Sequence, residues 1–329
     1  MARSSYKNKT RSLAPAVMKL NFLFAPNTTG YIFISDAVSR LNRRFYRQGL
    51  NWAVGNVRVL SASAASTSVG SLCFVNSIPH TWPVANAWVK AFHAWKNQQD
   101  EAIAEMGGES GVAAFRDFKV SMESTHILAN NVSPRQLGPG RIAGPFPTNI
   151  PTSAEVAAAE AWESSQIVIP NDGAPGVTNE YTLHMVGPTA GTSKGIVHGY
   201  EFSRSYPQNP DPATPSMPTS WLNRMHDVGD NNDDIIDNAV DRNNELPYDQ
   251  NDYPGGGTNF VQLETQGFAL NQSTTGINTY NTGPFTAPCG LLRVDFLNQT
   301  VEPGQTNVVI VTLVPGNHRG YLAETMEEF

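Results

Sequence analysis

TNVVIVTLV (306–314) contains the longest near-continuous apolar run of the chain, VVIVTLV at 308–314. It is rich in β-branched residues, has the length of a strand, and falls well short of the ~18 residues a membrane helix needs. GLLRVDFL (290–297) reads the same way. Apolar runs of this kind suit strands with neighbours on both sides and covered faces, as in the inner strands of a sandwich.

Outward from these two runs the chain keeps yielding strands. VMKLNFLF (17–24) alternates, PNTTG (26–30) is a turn, and YIFIS (31–35) follows. NWAVGNVRVLSAS (51–63), VGSLCFVNSI (69–78), AAFRDFKVSME (113–123), EYTLHMVG (180–187), KGIVHGYEFS (194–203) and FVQLETQGFAL (260–270) complete a set of about ten. One long helix is expected over 83–105, with Pro83 in its first turn and Val84, Trp88, Phe92 and Trp95 along one face. A shorter helix is expected over 153–164. Strands that do not alternate regularly with helices argue for a sandwich, barrel or jelly roll rather than a doubly wound fold. With 329 residues, 27 Gly, 23 Pro and only 16 % charged residues, the composition also favours strands joined by turns. Cys73 and Cys289 read as buried free thiols in strands. MARSSYKNKTRS has no apolar segment of the kind a secretory signal carries.

Charge is divided unevenly. Residues 1–58 hold ten bases and one acid, while the other 271 residues hold twelve bases and 28 acids. The whole-chain net charge of −7 conceals a basic end of +9. DAVSRLNRRFYRQG (36–49) concentrates it. Asp36 is a good helix N-cap and Gly49 a good stop; between them Val38, Leu41 and Phe45 share one face and Arg40, Arg43, Arg44 and Arg47 the other. The spacing predicts an amphipathic helix over 36–49. The ordinary reading of such a band is a solvated face, but the lack of interleaved acids points to an anionic partner. The other bases, Arg3, Lys7, Lys9, Arg11 and Lys19, are spread through an arm rich in Ser, Asn and Thr. That pattern suits phosphate neutralisation without sequence readout.

Catalytic chemistry is thin. The seven histidines make no HExxH and no paired i, i+4 set. GGESG (107–111) does not have glycine at both positions a nucleophile elbow needs around Ser110, since residue 112 is Val, and neither a Walker loop nor GxGxxG is present. A glycosidase-type carboxylate pair is not excluded by sequence, but most tryptophans sit in or beside helices, as core residues do. DNNDDIIDNAVD (230–241) places Asp230, Asn232, Asp234 and Asp241 at calcium-loop spacing, yet has Ile235 at the glycine position and Asp where the bidentate Glu belongs. No metal site, cofactor or enzymatic activity is expected. SYPQNPDPATPSMPTS (205–220), with five prolines, and the acidic stretch after it mark 205–257 as a surface-exposed insertion.

The basic arm MARSSYKNKTRS, the β-rich body, the helices between strands and the long Pro/Asn/Gly loops resemble the jelly-roll capsid proteins of small icosahedral viruses, most of all those of small circular single-stranded DNA viruses. RLNRRFYRQG (40–49) and LVPGNHRGYLAETM (313–326) resemble segments of viral coat proteins. The resemblance implies an all-β single jelly-roll sandwich with helical and long loop insertions: a basic arm at 1–20 and a shell domain at 21–329. It implies self-assembly into an icosahedral virion enclosing the genome, expected to be single-stranded DNA. Arg3, Lys7, Lys9, Arg11, Lys19, Arg40, Arg43, Arg44 and Arg47 would face that nucleic acid. The alternatives are a double jelly roll, as in coats of membrane-containing phages, whose basic end would face an internal membrane, and a carbohydrate-active β-sandwich.

Overall fold

The computed structural model describes residues 16–42, 44–61, 71–105, 116–128, 131–135, 164–166, 183–186, 193–197, 262–271, 278–299 and 306–326. They form an all-β sandwich with three helices among the described residues. One sheet contains β1 (Lys19–Phe24), β3 (Leu50–Ser61) and β11 (Asn307–Leu313), with β8 (Asn278–Asn281), β9 (Phe285–Ala287) and β14 (Ala323–Thr325) also on β3. The other runs β2 (Thr29–Phe33), β10 (Leu291–Leu297), β4 (Ser71–Ser77), β7 (Glu264–Asn271) in spatial order. β5 (His184–Val186) pairs with β6 (Ser193–Gly195), and β12 (Pro315–Gly316) with β13 (Gly320–Tyr321).

The pairing is nested. β1 meets β11, β2 meets β10, β3 meets β8 and β9, and β4 meets β7, every pair antiparallel. β8 and β9 hold one register against β3, from Ser61↔Asn278 to Trp52↔Ala287. They are one strand broken at Gly283 and Pro284, and Thr282 keeps the ladder closed: its N–H donates to the Val57 carbonyl (3.0 Å) while its Oγ1 accepts from the Val57 N–H (2.9 Å). β14 continues the edge that β11 leaves. The Val314 N–H donates to the Ala53 carbonyl (3.1 Å) and the Ala53 N–H to the Leu322 carbonyl (3.1 Å), so the β12–β13 hairpin is an excursion from one interrupted strand.

Alternation places the core. On β1, Leu20, Phe22 and Phe24 face inward; on β11, Val309, Val311 and Leu313 do; from the second sheet come Ile32, Leu292, Val294, Phe296, Cys73 and Val75. The two apolar runs at 290–297 and 306–314 are β10 and β11, each flanked by two strands, as the sequence predicts. A second core lies on the outer side of the β2–β10–β4 sheet. There α2 (Trp82–Glu105) buries Val84, Ala87, Trp88 and Trp95, with Phe92 half-buried, against Tyr31, Phe33, Ile78 and Leu291. Phe118, Val120 and Met122 fill the remaining space.

Three expectations need correction. The arginine-bearing helix, α1, spans Ile34–Asn42 rather than 36–49, and Asp36 sits buried in its first turn instead of capping it. The Asn42 side chain ends the helix: its Nδ2 donates to the Val38 carbonyl (2.9 Å) and to Tyr321 Oη (2.7 Å), and its Oδ1 accepts from the Val17 N–H (3.0 Å). The chain beyond is turned by Ser39, whose carbonyl accepts from the Arg44 N–H and whose Oγ accepts from the Tyr46 N–H. Consequently Tyr46, not Phe45, is the buried aromatic. Of the strand expected over 113–123, residues 116–120 form no strand and Ser121 makes a single antiparallel bridge, to His184; at Val120 the buried Gln48 side chain takes the place of a backbone partner, donating to its carbonyl (2.8 Å) and accepting from its N–H (2.5 Å). Cys73 and Cys289 are buried free thiols, but Cys289 lies in a 3-10 turn (Pro288–Gly290) at φ +55° rather than in a strand. Of the helix expected over 153–164, residues 153–163 lie outside the described residues, as does the 205–257 insertion.

Candidate functional site

The RLNRRFYRQG segment and the C-terminal hairpin, nearly 280 residues apart in sequence, lock together at one end of the sandwich. Arg319 Nη1 donates to the Phe45 carbonyl (2.6 Å), and Tyr46 Oη donates to the Arg319 carbonyl (3.3 Å). The Arg319 guanidinium lies 5.9 Å from the centre of the Tyr46 ring. Tyr321, fully buried, packs edge-on against Tyr46 (5.6 Å) and Trp52 (5.5 Å). Its hydroxyl donates to the Val17 carbonyl (2.7 Å) while accepting from Asn42. Burial pushes that phenol up to about 12. The point where the arm enters the sandwich therefore lies beside the end of α1.

The predicted basic residues divide into three groups. Arg3, Lys7, Lys9, Arg11 and Arg43 lie outside the described residues. Lys19 is exposed at the start of β1. Arg40, Arg44 and Arg47 do not form one helical band. Arg40 is drawn onto the helix by an ion pair with Asp36 (2.8 Å) and reaches Ser133 (3.3 Å), leaving its side chain 22 % exposed. Arg44 is exposed. Arg47, 61 % exposed, donates to the Arg116 carbonyl (2.6 Å), lies 3.7 Å from the Asp117 carboxylate and covers the Phe45 ring at 5.8 Å. The acid that answers Arg40 is Asp36 of the same stretch, in the first turn of α1, and the acid that answers Arg47 is Asp117, distant in sequence.

Between these parts opens a cavity of about 640 Å³. Trp88 and Phe92 stack in parallel at 5.2 Å in its wall, and Phe118 meets Trp88 edge-on at 5.6 Å. Gly49 is required here, because a Cβ would stand 2.4 Å from the Trp88 ring. Arg47, Arg319 and His318 add polar lining, and Asp117 is the one acid among the described lining residues. Asp117 is buried and turned inward, accepting from the Gln48 N–H (3.0 Å). Burial raises its carboxyl above the ordinary range, opposed by that hydrogen bond and by Arg47. Burial and the neighbouring Arg319 lower His318. The exposed charge at the mouth is therefore cationic. The sequence gives no sign of this cavity: Arg319 stands out there only within LVPGNHRGYLAETM, and Trp88 and Phe92 only as a helix face.

A second polar cluster lies on the outer side of the other sheet. Arg293 pairs with Glu123 (2.9 Å) and Asp295 (2.9 Å); Asp295 also accepts from Thr29 (2.7 Å) and Asn76 (2.9 Å), and Tyr31 donates to Glu123. These groups satisfy one another, as structural networks do. Among the described residues no set of three or more His, Cys, Asp or Glu side chains is gathered around a metal position, and no described helix is long and apolar enough to cross a membrane. The possible calcium loop at 230–241 lies outside the described residues. Comparison with family models, with curated proteins and with solved structures finds no match to this chain.

Proposed function

We propose that this chain is a viral coat protein with a single jelly-roll fold, which self-assembles into a closed icosahedral shell around a genome and turns its basic N-terminal region toward the nucleic acid. The observation that carries this reading is the nested strand order, β1–β11–β3–β8/β9 facing β2–β10–β4–β7, which is the order produced when one long antiparallel hairpin rolls into a jelly roll. Everything between residues 78 and 263 is then a single insertion at the tip of that hairpin.

Two further features agree with it. β1, β3, β8, β9 and β11 carry Lys19 and Arg58, both exposed on the outward side of their sheet, and no acid; Glu324, on the short edge strand β14, is the acid of that sheet's described strands. That face suits the side of a shell turned to a polyanion. On the opposite sheet, Leu297, Leu72 and Leu270 align across β10, β4 and β7, beside Phe74 and Phe268. Phe268 is 63 % and Leu270 52 % exposed. An apolar stripe on an outer strand is a liability for a lone molecule and an asset for a subunit.

Negative-stain microscopy of the purified protein, with the 260/280 nm absorbance ratio taken before and after nuclease, tests the reading. Closed shells holding protected nucleic acid are expected. Discrete small particles at every salt concentration would sink it.

A further inference from the structure

We infer that the cavity between the arginine segment, α2 and the C-terminal hairpin binds one unpaired nucleotide, its base against the Trp88–Phe92 wall and its phosphate at Arg47 and Arg319. The inference rests on the coat reading for the source of the nucleotide, a packaged single strand.

Three properties select this ligand. The volume, about 640 Å³, falls within the ~300–1,000 Å³ of small-molecule sites. The wall is aromatic: Phe92, half-buried and backed by the buried Trp88 ring, is the surface a base packs against. The mouth is cationic on balance: Arg47, largely exposed, is partly answered by the buried Asp117 carboxylate 3.7 Å away, and Arg319 is exposed. Each guanidinium uses Nη1 on a backbone carbonyl, of Arg116 and of Phe45, which fixes the fork while leaving further N–H groups for a phosphate. An aliphatic ligand would leave the guanidinium pair unanswered, and an inorganic anion would leave the aromatic wall unused. A base inside a duplex cannot reach the wall, so single strands are favoured. Stacking without base-edge readout makes the site tolerant of sequence.

The full-length protein is titrated with thymidine monophosphate by calorimetry, alongside Arg319→Gln and Thr325→Trp. Thr325 lines the cavity and is exposed, so a tryptophan there fills the space without altering charge, and its melting temperature reports whether the fold is intact. Saturable binding of one nucleotide per chain is expected, weakened at least tenfold by each variant. No saturable binding, or equal binding in all three proteins, overturns the inference. Shells with protected nucleic acid but no mononucleotide binding leave the coat reading standing and remove the pocket. Mononucleotide binding by a chain that never forms shells does the reverse.

Discussion

His126 has both ring nitrogens assigned by its surroundings. Nδ1 accepts from the Met122 N–H (2.9 Å), so the proton sits on Nε2, which donates to Asn131 Oδ1 (2.7 Å). A second proton would face a donor, and the ring is buried against Tyr31. Burial pushes His126 down to about 4, against the pull of Asn131 and Glu123. Between that value and the ordinary 6.5 the unfolded chain binds more protons, so this residue's contribution is complete above pH 6.5 and is lost as pH falls toward 4. The loss is on the order of 3 kcal/mol. Urea midpoints measured from pH 7 to 4.5 should fall less steeply in His126→Gln than in the parent. Gly290 makes a sharper demand. At φ +64° it lies under the Trp52 indole, where a Cβ would come within 2.9 Å. Gly290→Ala should cost about 2–4 kcal/mol, strain and crowding together, read as a lowered urea midpoint.

The β12–β13 hairpin shows how an element holds others in place. Tyr321 closes the gap between the start of β1 and the end of α1 through one hydroxyl. Tyr321→Phe keeps the ring and strands two polar partners, an expected loss of about 1–2 kcal/mol; Tyr321→Ala also opens a cavity, about 3–5 kcal/mol. Thermal melts of the two variants separate the terms. Which elements were legible in the sequence follows from the same physics. β1, β3, β4, β10 and β11 announce themselves by alternation or by unbroken apolar runs, and α2 by its aromatic face. The strand formed by β8 and β9 does not: NTYNTGPFTA is polar, short and broken by Gly283 and Pro284, and β3 alone holds it in line. The α1 helix reads too long because periodicity is blind to Ser39 and Asn42, whose side chains turn the backbone before the pattern runs out. Residues 116–122 look like a strand because Phe118, Val120 and Met122 face a core, although their backbone pairs with 183–184 at Ser121 and Met122 and the Gln48 side chain, not a strand, serves Val120. The cavity was invisible because its wall, mouth and floor come from five separate segments.

At the scale of the molecule, the exposed bases Lys19 and Arg58 of one sheet and the apolar stripe of the other lie on one body. In the coat reading, Phe268→Ser with Leu270→Ser should reduce the yield of shells at least tenfold while leaving the urea midpoint of the subunit within about 0.5 kcal/mol, since both side chains are exposed. Sedimentation of equal protein amounts checks it. Charge reversal at Arg44 and Arg47 should instead leave shells intact and lower their 260/280 nm ratio; an unchanged ratio would move the nucleic-acid contact to the arm alone. Nesting has one more effect, on the timing of the protein's birth. The strand that leaves the ribosome early, β1, has its partner in β11, nearly 290 residues later, and β2 waits almost as long for β10. With so much of the ladder joining distant parts of the chain, the sandwich cannot close until β10 and β11 have been made. In the coat reading, a growing chain that cannot yet present both sheets cannot yet meet another copy, so synthesis itself holds assembly back until β11 is made.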